Sequence, residues 1–340
     1  MQKILVIGGA GFIGCNVADY YCRKGNSVML FDNLSRDKTQ HNLNWLQKNH
    51  KDKVSFVKGD IRTDKDKLSD MMEKVDIVFH FAGQVAVTSS VSDPMNDFNN
   101  NLVGTINVLE ALRNSSKKPI LIFSSTNKVY GALENAPTVS TKTRYAYKNH
   151  PLGISEEQQL DFHSPYGCSK GASEQYVHDY SRIYGLKTIV FRQSCIYGYR
   201  QFGIEDQGWV SWFIIAATLK KPITVYGDGK QMRDILFIDD LCEAYDLAIR
   251  GIKKTSGNIY NIGGGPDNTL SILELIDNIK KIFRTNINFS FADWRPGDQK
   301  VFVCDIRKAY KDLGWKPKIS PAEGIKKLAE WVGQNKKLFD

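Results

Sequence analysis

A tyrosine and a lysine near the middle of the chain have the spacing needed for proton transfer. Residues 164–170 should begin a helix that runs to about Tyr184, because Pro165 fits a first helical turn, where no N–H is needed. Tyr166 and Lys170 are four residues apart, so they share one helix face with Cβ atoms about 5–6 Å apart. A neighbouring ammonium favours the phenolate. The pair therefore predicts a general base, although the spacing alone also fits an exposed pair on a surface helix.

A glycine turn near the start of the chain predicts a dinucleotide site. Residues 3–7 form a short apolar strand that ends in the pattern Gly8, Gly11, Gly14, and helical periodicity follows to about Lys24. The missing side chains let a pyrophosphate approach the backbone at the helix N-terminus, where free N–H groups and the helix dipole favour an anion. A second apolar strand, residues 27–31, follows this helix.

Asp32, directly after this second strand, indicates whether the dinucleotide is NAD or NADP. An acidic residue at this distance from the glycine turn holds a ribose diol. It would repel a 2′-phosphate, since like charges about 4 Å apart cost about 4 kcal/mol at an effective dielectric near 20. NAD is therefore the predicted cofactor. Arg36 is near enough to offer a phosphate contact, so NADP remains an alternative.

Apolar strands and helices then continue to alternate, which predicts an α/β protein with a doubly wound parallel sheet of the Rossmann type. Strands are expected at residues 54–57, 76–81, 119–123 and 186–191, and a helix at residues 98–114. Ligands of such sheets bind beyond the C-terminal ends of the strands. Polar or small residues expected near that edge are Asp60, Ala82, Gly83, Asn101 and Thr126.

The alternation breaks down in the second half of the chain. We therefore predict that residues 1–192 form mainly the NAD-binding domain. Residues 193–340 should form mainly a smaller C-terminal, substrate-binding lobe, with some segments that return to the first domain. The long polar and aromatic segment 132–163, before the Tyr166 helix, is expected to be a folded lid, because structureless loops of this length are uncommon in compact domains.

Composition excludes several classes of function. The 340 residues carry a net charge of +9, with 42% hydrophobic and 24% charged residues, as in an ordinary globular protein. Much of the positive charge lies in lysine pairs near predicted helix ends, where lysines interact with the helix dipole and are solvated. This explanation is favoured over binding of a nucleic acid. Binding of an anionic small substrate is an alternative explanation. The six cysteines have no metal-like spacing and suggest a reducing cytoplasm. No signal peptide or membrane-spanning segment is expected.

The combined signatures resemble the extended short-chain dehydrogenase/reductases that modify nucleotide sugars. The glycine turn, Asp32, Asp60, Thr126 and the Tyr166 pair occur in that family's order, as do residues 295–298, 305–309 and 313–315. The resemblance implies that Tyr166 is the acid/base, that Thr126 hydrogen-bonds the same substrate oxygen, and that Lys170 lowers the tyrosine pKa and binds the nicotinamide ribose. The implied cofactor contacts are Gly8, Gly11, Phe12, Ile13, Gly14, Asp32, Asn33, Asp60, Ile61, Ala82, Gly83, Asn101, Ser124, Tyr166 and Lys170.

The segment after the fifth strand separates groups within this family. The 4,6-dehydratases carry Thr-Asp-Glu there, whereas this chain has Thr126, Asn127 and Lys128, which cannot supply the carboxylate base for dehydration. The 3,5-epimerases are expected to use a cysteine and a lysine, and no cysteine lies in this segment. Residues 124–131 resemble those of CDP-paratose (CDP-tyvelose) 2-epimerases, as do residues 31–36, 160–166, 200–203 and 206–209.

This resemblance implies an epimerase that oxidises C2 of a CDP-activated deoxyhexose and reduces it again on the other face. The alternatives are a sugar-nucleotide 4-epimerase or 4-reductase and, more distantly, a non-catalytic NAD-binding scaffold. Arg233 and Arg295 match positions that grip a diphosphate, a task suited to guanidinium groups, or instead form salt bridges with Asp234 or Asp298. The expected substrate contacts are Gln84, Asn127, Lys128, His163, Gln193, Gln207, Arg233 and Arg295.

The resemblance also implies a homodimer. Enzymes of this family commonly pair the helix at residues 98–114 and the Tyr166 helix with their copies in a four-helix bundle. Leu102, Ile106 and Leu109 give the first helix an apolar face, but burial within one subunit would use the same residues.

Overall fold

A computed structural model describes residues 1–284, 286–295 and 298–339. Its strands are β1 Lys3–Ile7, β2 Ser27–Asp32, β3 Val54–Lys58, β4 Ile77–His80, β5 Ile120–Thr126, β6 Thr138–Ser140, β7 Tyr145–Tyr147, β8 Thr188–Gln193, β9 Cys195–Tyr197, β10 Ile223–Tyr226, β11 Met232–Phe237, β12 Ile259–Ile262, β13 Thr269–Ser271, β14 Phe289–Ala292 and β15 Val301–Phe302. Its helices are α1 Phe12–Arg23, α2 Thr39–Asn49, α3 Lys65–Met72, α4 Val87–Ser92, α5 Pro94–Phe98, α6 Gly104–Asn114, α7 Pro165–Tyr184, α8 Trp209–Thr218, α9 Ile238–Arg250, α10 Ile252–Thr255, α11 Ile272–Phe283, α12 Arg307–Leu313 and α13 Pro321–Gln334.

The central sheet has seven parallel strands in the order β12-β8-β5-β4-β1-β2-β3. Alternate residues of β1 enter two different apolar cores: Ile4 and Val6 pack into one, and Leu5 and Ile7 into the other. Both faces of the sheet are therefore covered, as parallel sheets require. The predicted doubly wound α/β fold is confirmed, and the seventh strand, β12, comes from the second half of the chain.

A smaller lobe lies beyond the C-terminal edge of the large sheet. Its four-stranded sheet has β11 paired with β9, β13 and β15, and a separate parallel pair is formed by β10 and β14. The predicted lid is folded: β6 and β7 form a hairpin, and Tyr145 donates a hydrogen bond to Asp228 of the smaller lobe (2.6 Å). Arg144 adds an ion pair with Glu274 on α11.

The helix expected over residues 98–114 is interrupted. A π-helical turn, Asn99–Val103, separates α5 from α6. The hydroxyls of Thr105 and Ser173 both donate hydrogen bonds to the Asn101 carbonyl oxygen, at 2.5 and 3.1 Å. These hydroxyls compete with backbone N–H groups for this oxygen, in the region where the helix widens to a π turn. No helix in the described part of the chain is long and apolar enough to cross a bilayer.

Candidate active site

Two adjoining cavities open at the C-terminal edge of the central sheet. The first, about 220 Å³, is lined by the turn after β1 and the ends of β2 to β4, and we call it the glycine cavity. The second, about 400 Å³, lies between the large sheet and the smaller lobe and is lined by Thr126 and Tyr166; we call it the tyrosine cavity. Phe12, Val85 and Ser124 line both cavities, so the two form one continuous cleft.

The glycine cavity leaves its backbone open to a ligand. Gly8 has a φ of +81°, and a Cβ at this position would lie 2.6 Å from the backbone nitrogen of Ala82. A Cβ at Gly14 would collide with the carbonyl oxygen of Gly8. A side chain at either position would therefore disrupt the turn that exposes the N-terminus of α1, and helix N-termini are suited to anionic groups.

Asp32 and Asp60 form the acidic side of the glycine cavity. The Asp32 carboxylate accepts hydrogen bonds from the backbone nitrogens of Ala10 (3.0 Å) and Leu34 (2.8 Å), which fix its orientation. Asp60 accepts hydrogen bonds from Arg62, which lower its pKa to about 2, and one from Asn33 (3.0 Å). Both carboxylates are thus oriented by partners and retain lone pairs for a ligand hydroxyl or amine.

Most of the predicted cofactor contacts lie together. Those that line the glycine cavity are Gly8, Gly11, Phe12, Ile13, Gly14, Asp32, Asn33, Asp60, Ile61, Ala82, Gly83 and Ser124. Asn101 and Lys170 do not line either cavity. Asn101 lies behind the wall, where its side-chain nitrogen donates to Asp97 (3.1 Å) and Ser169 (3.0 Å). In this structure the Asn101 side chain links the π turn to α7 by a hydrogen bond.

Tyr166 differs electrostatically from the prediction. Its side chain lines the tyrosine cavity, and Ser164 caps its helix by accepting a hydrogen bond from the Gly167 nitrogen (3.0 Å). Burial raises the pKa of Tyr166 to about 12, although a hydrogen bond with Thr126 opposes this shift. Lys170 does not lower it here, because its ammonium lies over the Phe123 ring, 4.3 Å from the centroid. Burial in turn lowers the pKa of Lys170 to about 8.

The predicted substrate contacts divide into two groups. Those that line the tyrosine cavity are Asn127, Lys128, Gln193, Gln207, Arg233 and Arg295. Gln84 and His163 do not. The backbone nitrogen of Gln84 donates to Asn101 and its side chain donates to the Ala86 oxygen (2.6 Å). His163 has a side chain that is 47% exposed and lies 3.7 Å from Asp161. In this structure local contacts hold both side chains outside the two cavities, and their contact with a substrate stays a prediction.

The two arginines are held by carboxylates within the cavity. Arg233 contacts Asp298 (2.8 Å), one of the salt bridges expected as an alternative. Arg295 instead pairs with Asp206 (3.0 Å) and lies over the ring of Tyr226, 3.7 Å from its centroid. Pro296 and Gly297, part of the same predicted signature, lie outside the described residues. Both arginines nevertheless line the tyrosine cavity.

Sequence reasoning missed two residues that line the tyrosine cavity. Cys195 and Trp209 line the tyrosine cavity, and the indole nitrogen of Trp209 donates to the Cys195 sulfur (3.4 Å). Burial raises the pKa of Cys195, so the group is a neutral thiol. The position of Cys195 in the sequence could have indicated this place, because Cys195 comes just after β8, which pairs with the strand that ends at Thr126.

A buried ion pair fixes the tyrosine helix to the sheet. Glu174 on α7 accepts hydrogen bonds from Arg192 on β8 and from Ser125 on β5, and neither charged side chain is more than 4% exposed. Arg192 also donates to the hydroxyl of Tyr130 (2.9 Å). Because Ser125 precedes Thr126, this network sets the distance between the tyrosine helix and the strand end.

Comparison with known proteins agrees with this geometry. The family model described as GDP-mannose 4,6 dehydratase matches residues 5–328. The chain belongs to this family. A CDP-paratose 2-epimerase of Salmonella typhi is 45% identical over 338 residues, which make up 97% of this chain and 99% of the relative. The predicted resemblance to nucleotide-sugar epimerases is thereby confirmed.

Two similar crystal structures contain bound ligands. UDP-glucose 4-epimerase of Thermotoga maritima, solved with UDP-glucose, superposes with a TM-score of 0.84 at 31% identity, covering 98% of this chain and 99% of that chain. UDP-glucuronic acid 4-epimerase of Bacillus cereus, in complex with UDP-glucuronic acid and NAD, gives a TM-score of 0.83 at 28% identity, with coverage of 98% and 99%. Both neighbours are thus sugar-nucleotide epimerases.

Proposed function

We propose that this protein is an NAD-dependent epimerase that inverts C2 of a CDP-activated deoxyhexose, as in the conversion of CDP-paratose to CDP-tyvelose. The observation that carries this proposal is the joint placement of Tyr166 with Thr126, Asn127 and Lys128 in one cavity that continues into the glycine cavity. The full-length similarity to a CDP-paratose 2-epimerase supports the choice of substrate.

The glycine cavity fits a dinucleotide. The open backbone at Gly8 and Gly14 and the N-terminus of α1 suit a pyrophosphate. The oriented carboxylate of Asp32 suits a ribose diol and disfavours a 2′-phosphate. NAD, when bound, supplies a hydride acceptor that can return the same hydride. The chain must keep it in place while the sugar turns, and the lining of the glycine cavity by the glycine turn, Asp32 and Asp60 supports such a grip.

Tyr166 is proposed as the general base that takes the proton from the C2 hydroxyl. Thr126, linked to Tyr166 by a hydrogen bond, orients that hydroxyl. A cation beside Tyr166, either the ammonium of Lys170 moved away from the Phe123 ring or a bound oxidised nicotinamide, would favour the phenolate over the phenol. Tyr166 then returns the proton after the sugar has presented its other face, so one residue serves both half-reactions.

The alternative is reaction at C4, and the two 4-epimerase neighbours favour it as the second candidate. We propose to separate the candidates by incubating the purified protein with a panel of CDP- and UDP-sugars and resolving the products by NMR. Inversion at C2 of CDP-paratose with no change in UDP-glucose supports the proposal. Inversion at C4 of any substrate, with none at C2, contradicts it.

A homodimer is also proposed, from an exposed apolar surface on α4, α5 and α7. Its side chains are 42–65% exposed: Val91, Met95, Phe98, Tyr176 and Ile183. Leu109 is buried inside the subunit, which was the alternative to a place at the interface. Multi-angle light scattering should give twice the chain mass of 38.5 kDa, and a monomer would contradict the proposal.

We further propose a cytoplasmic location, which the six free cysteines support.

A further inference from the structure

The loop between β9 and α8 lines both parts of the cleft. Arg200 and Phe202 line the glycine cavity, and Gln201 and Gln207 line both cavities. The sequence marks residues 200–203 only by a family resemblance. The structure places them in the wall of the glycine cavity, although they come from the half of the chain that does not contain the glycine turn.

Arg200 is a buried cation that aromatic rings hold in place. Its residue is 9% exposed. Its guanidinium carbon lies 3.8 Å from the ring centroid of Trp45 on α2 and 5.6 Å from that of Trp331 on α13. Such cation–π contacts are stronger where water is excluded. Arg200 therefore ties the loop to two helices at once.

The charge of Arg200 has no ion-pair partner within the described residues. The two acidic groups that act on its guanidinium are Cys15 and Asp19 on α1. Burial raises the pKa of Cys15, so this group is a neutral thiol. Asp19 is already paired with Arg23 (2.7 Å) and lies 2.8 Å from His50. Because an arginine keeps its proton, a residue in the wall of the glycine cavity carries a positive charge, which favours an anionic ligand.

The backbone of the loop is tied to the glycine turn. The side-chain nitrogen of Asn42 donates hydrogen bonds to the carbonyl oxygens of Arg200 (3.2 Å) and Ala10 (3.1 Å). Arg200 has a φ of +62°, which is uncommon for a residue with a large side chain. Since strained backbone persists only where surrounding contacts hold it, the ring contacts and the Asn42 bonds fix this conformation.

Phe202 fixes the same loop at a second point. Its ring centroid lies 5.5 Å from that of Phe339, 6.4 Å from that of Trp331 and 6.1 Å from that of His41 on α2. Phe339 is 7% exposed and lines neither cavity. The loop is thus packed between α2 and the C-terminal region of the chain.

We propose that residues 200–203, held by Arg200 and Phe202, retain NAD in the glycine cavity between the two hydride transfers. The inference rests on the proposed function, because redox epimerisation requires the same cofactor to take and return a hydride. Without such retention the hydride would leave with the reduced cofactor, and the oxidised keto sugar would be released unreduced. Arg200 and Phe202 are therefore positioning residues for the cofactor.

The test measures NAD dissociation directly. Full-length protein is loaded with NAD labelled in the adenine ring, chased with excess unlabelled NAD and sampled by rapid filtration. Arg200→Met should raise the dissociation rate at least about tenfold, because lost contacts act mainly on dissociation. Arg200→Lys keeps a cation for the Trp45 ring and should stay nearer to the wild type. The control Lys308→Met removes a cation that lies 4.7 Å from the Tyr260 centroid, outside both cavities, and should leave the rate unchanged.

Phe202→Leu is a second variant, which keeps an apolar side chain but loses the ring contacts. It should also release NAD faster. With CDP-paratose, Arg200→Met and Phe202→Leu should release NADH and a 2-keto sugar, detected by fluorescence and mass spectrometry. Folding of each protein is followed by circular dichroism.

The outcomes separate two failures. A wild-type dissociation rate in both variants overturns the retaining role, as does an equal increase in Lys308→Met. Failure of both variants to fold overturns it as well, because the loop would then be a structural element only. If the variants lose NAD faster but the wild type does not invert C2 of CDP-paratose, the retaining role stands and the proposed function fails.

Discussion

Replacing Tyr166 with Phe is expected to slow C2 inversion about 10²–10⁴-fold, the usual contribution of a general base. The substitution removes one hydroxyl from a side chain that is 8% exposed and lines the tyrosine cavity, so little packing changes. The measurement is the initial rate of product formation at saturating CDP-sugar, with the NAD content of each purified protein determined in parallel.

A matched control lies on the same helix. Tyr180→Phe also removes a phenol hydroxyl from α7, but that hydroxyl donates to Glu110 (2.7 Å) and does not line either cavity. It should retain wild-type turnover. A Tyr166→Phe variant that keeps its bound NAD and inverts C2 as fast as the Tyr180→Phe variant would remove Tyr166 from the proton transfer and refute the mechanism.

Replacing Glu174 with Gln is expected to lower the free energy of unfolding by about 3–5 kcal/mol, because the change leaves the buried guanidinium of Arg192 without its counter-ion. Both side chains lie almost wholly inside the protein, where water cannot replace the lost partner. Urea unfolding followed by circular dichroism measures the effect.

The double variant Glu174→Met, Arg192→Met separates charge from packing. Removing both charges together should recover much of the stability that either single change costs, since apolar side chains can replace a buried ion pair. The matched surface control is Asp179→Asn on the same helix, where the pair with Arg182 is exposed and contributes little. A Glu174→Gln variant within about 1 kcal/mol of the wild type would contradict the structural role of the pair.

The parts of the site that could be predicted are those fixed by local pattern. The glycine turn and Asp32 follow from short-range strand, turn and helix signals, and the structure places them in one cavity. The C-terminal ends of parallel strands meet at one edge of a sheet. The proximity of Thr126, at a strand end, and Tyr166, at a helix start, could therefore be predicted from the topology. These inferences needed no knowledge of how the smaller lobe packs.

The features that the sequence could not show are those in which tertiary contacts decide the direction of a side chain. His163 precedes the helix cap, and its ring pairs outward with Asp161 rather than inward. The sequence does not mark Cys195 as a cavity residue, because nothing in its neighbours shows that β9 pairs with β11 and lies at the cavity. The π turn at Asn101 likewise depends on Ser173 from a distant helix, which periodicity along one segment cannot reveal.

The most direct test of the proposed reaction is the fate of deuterium at C2. CDP-paratose that carries deuterium at C2 is incubated with the NAD-loaded protein in ordinary water, and the product is examined by NMR. We predict CDP-tyvelose with the deuterium retained at C2, because the hydride leaves and returns within one site. Loss of the deuterium to solvent, or inversion at C4 with C2 unchanged, would contradict redox epimerisation at C2.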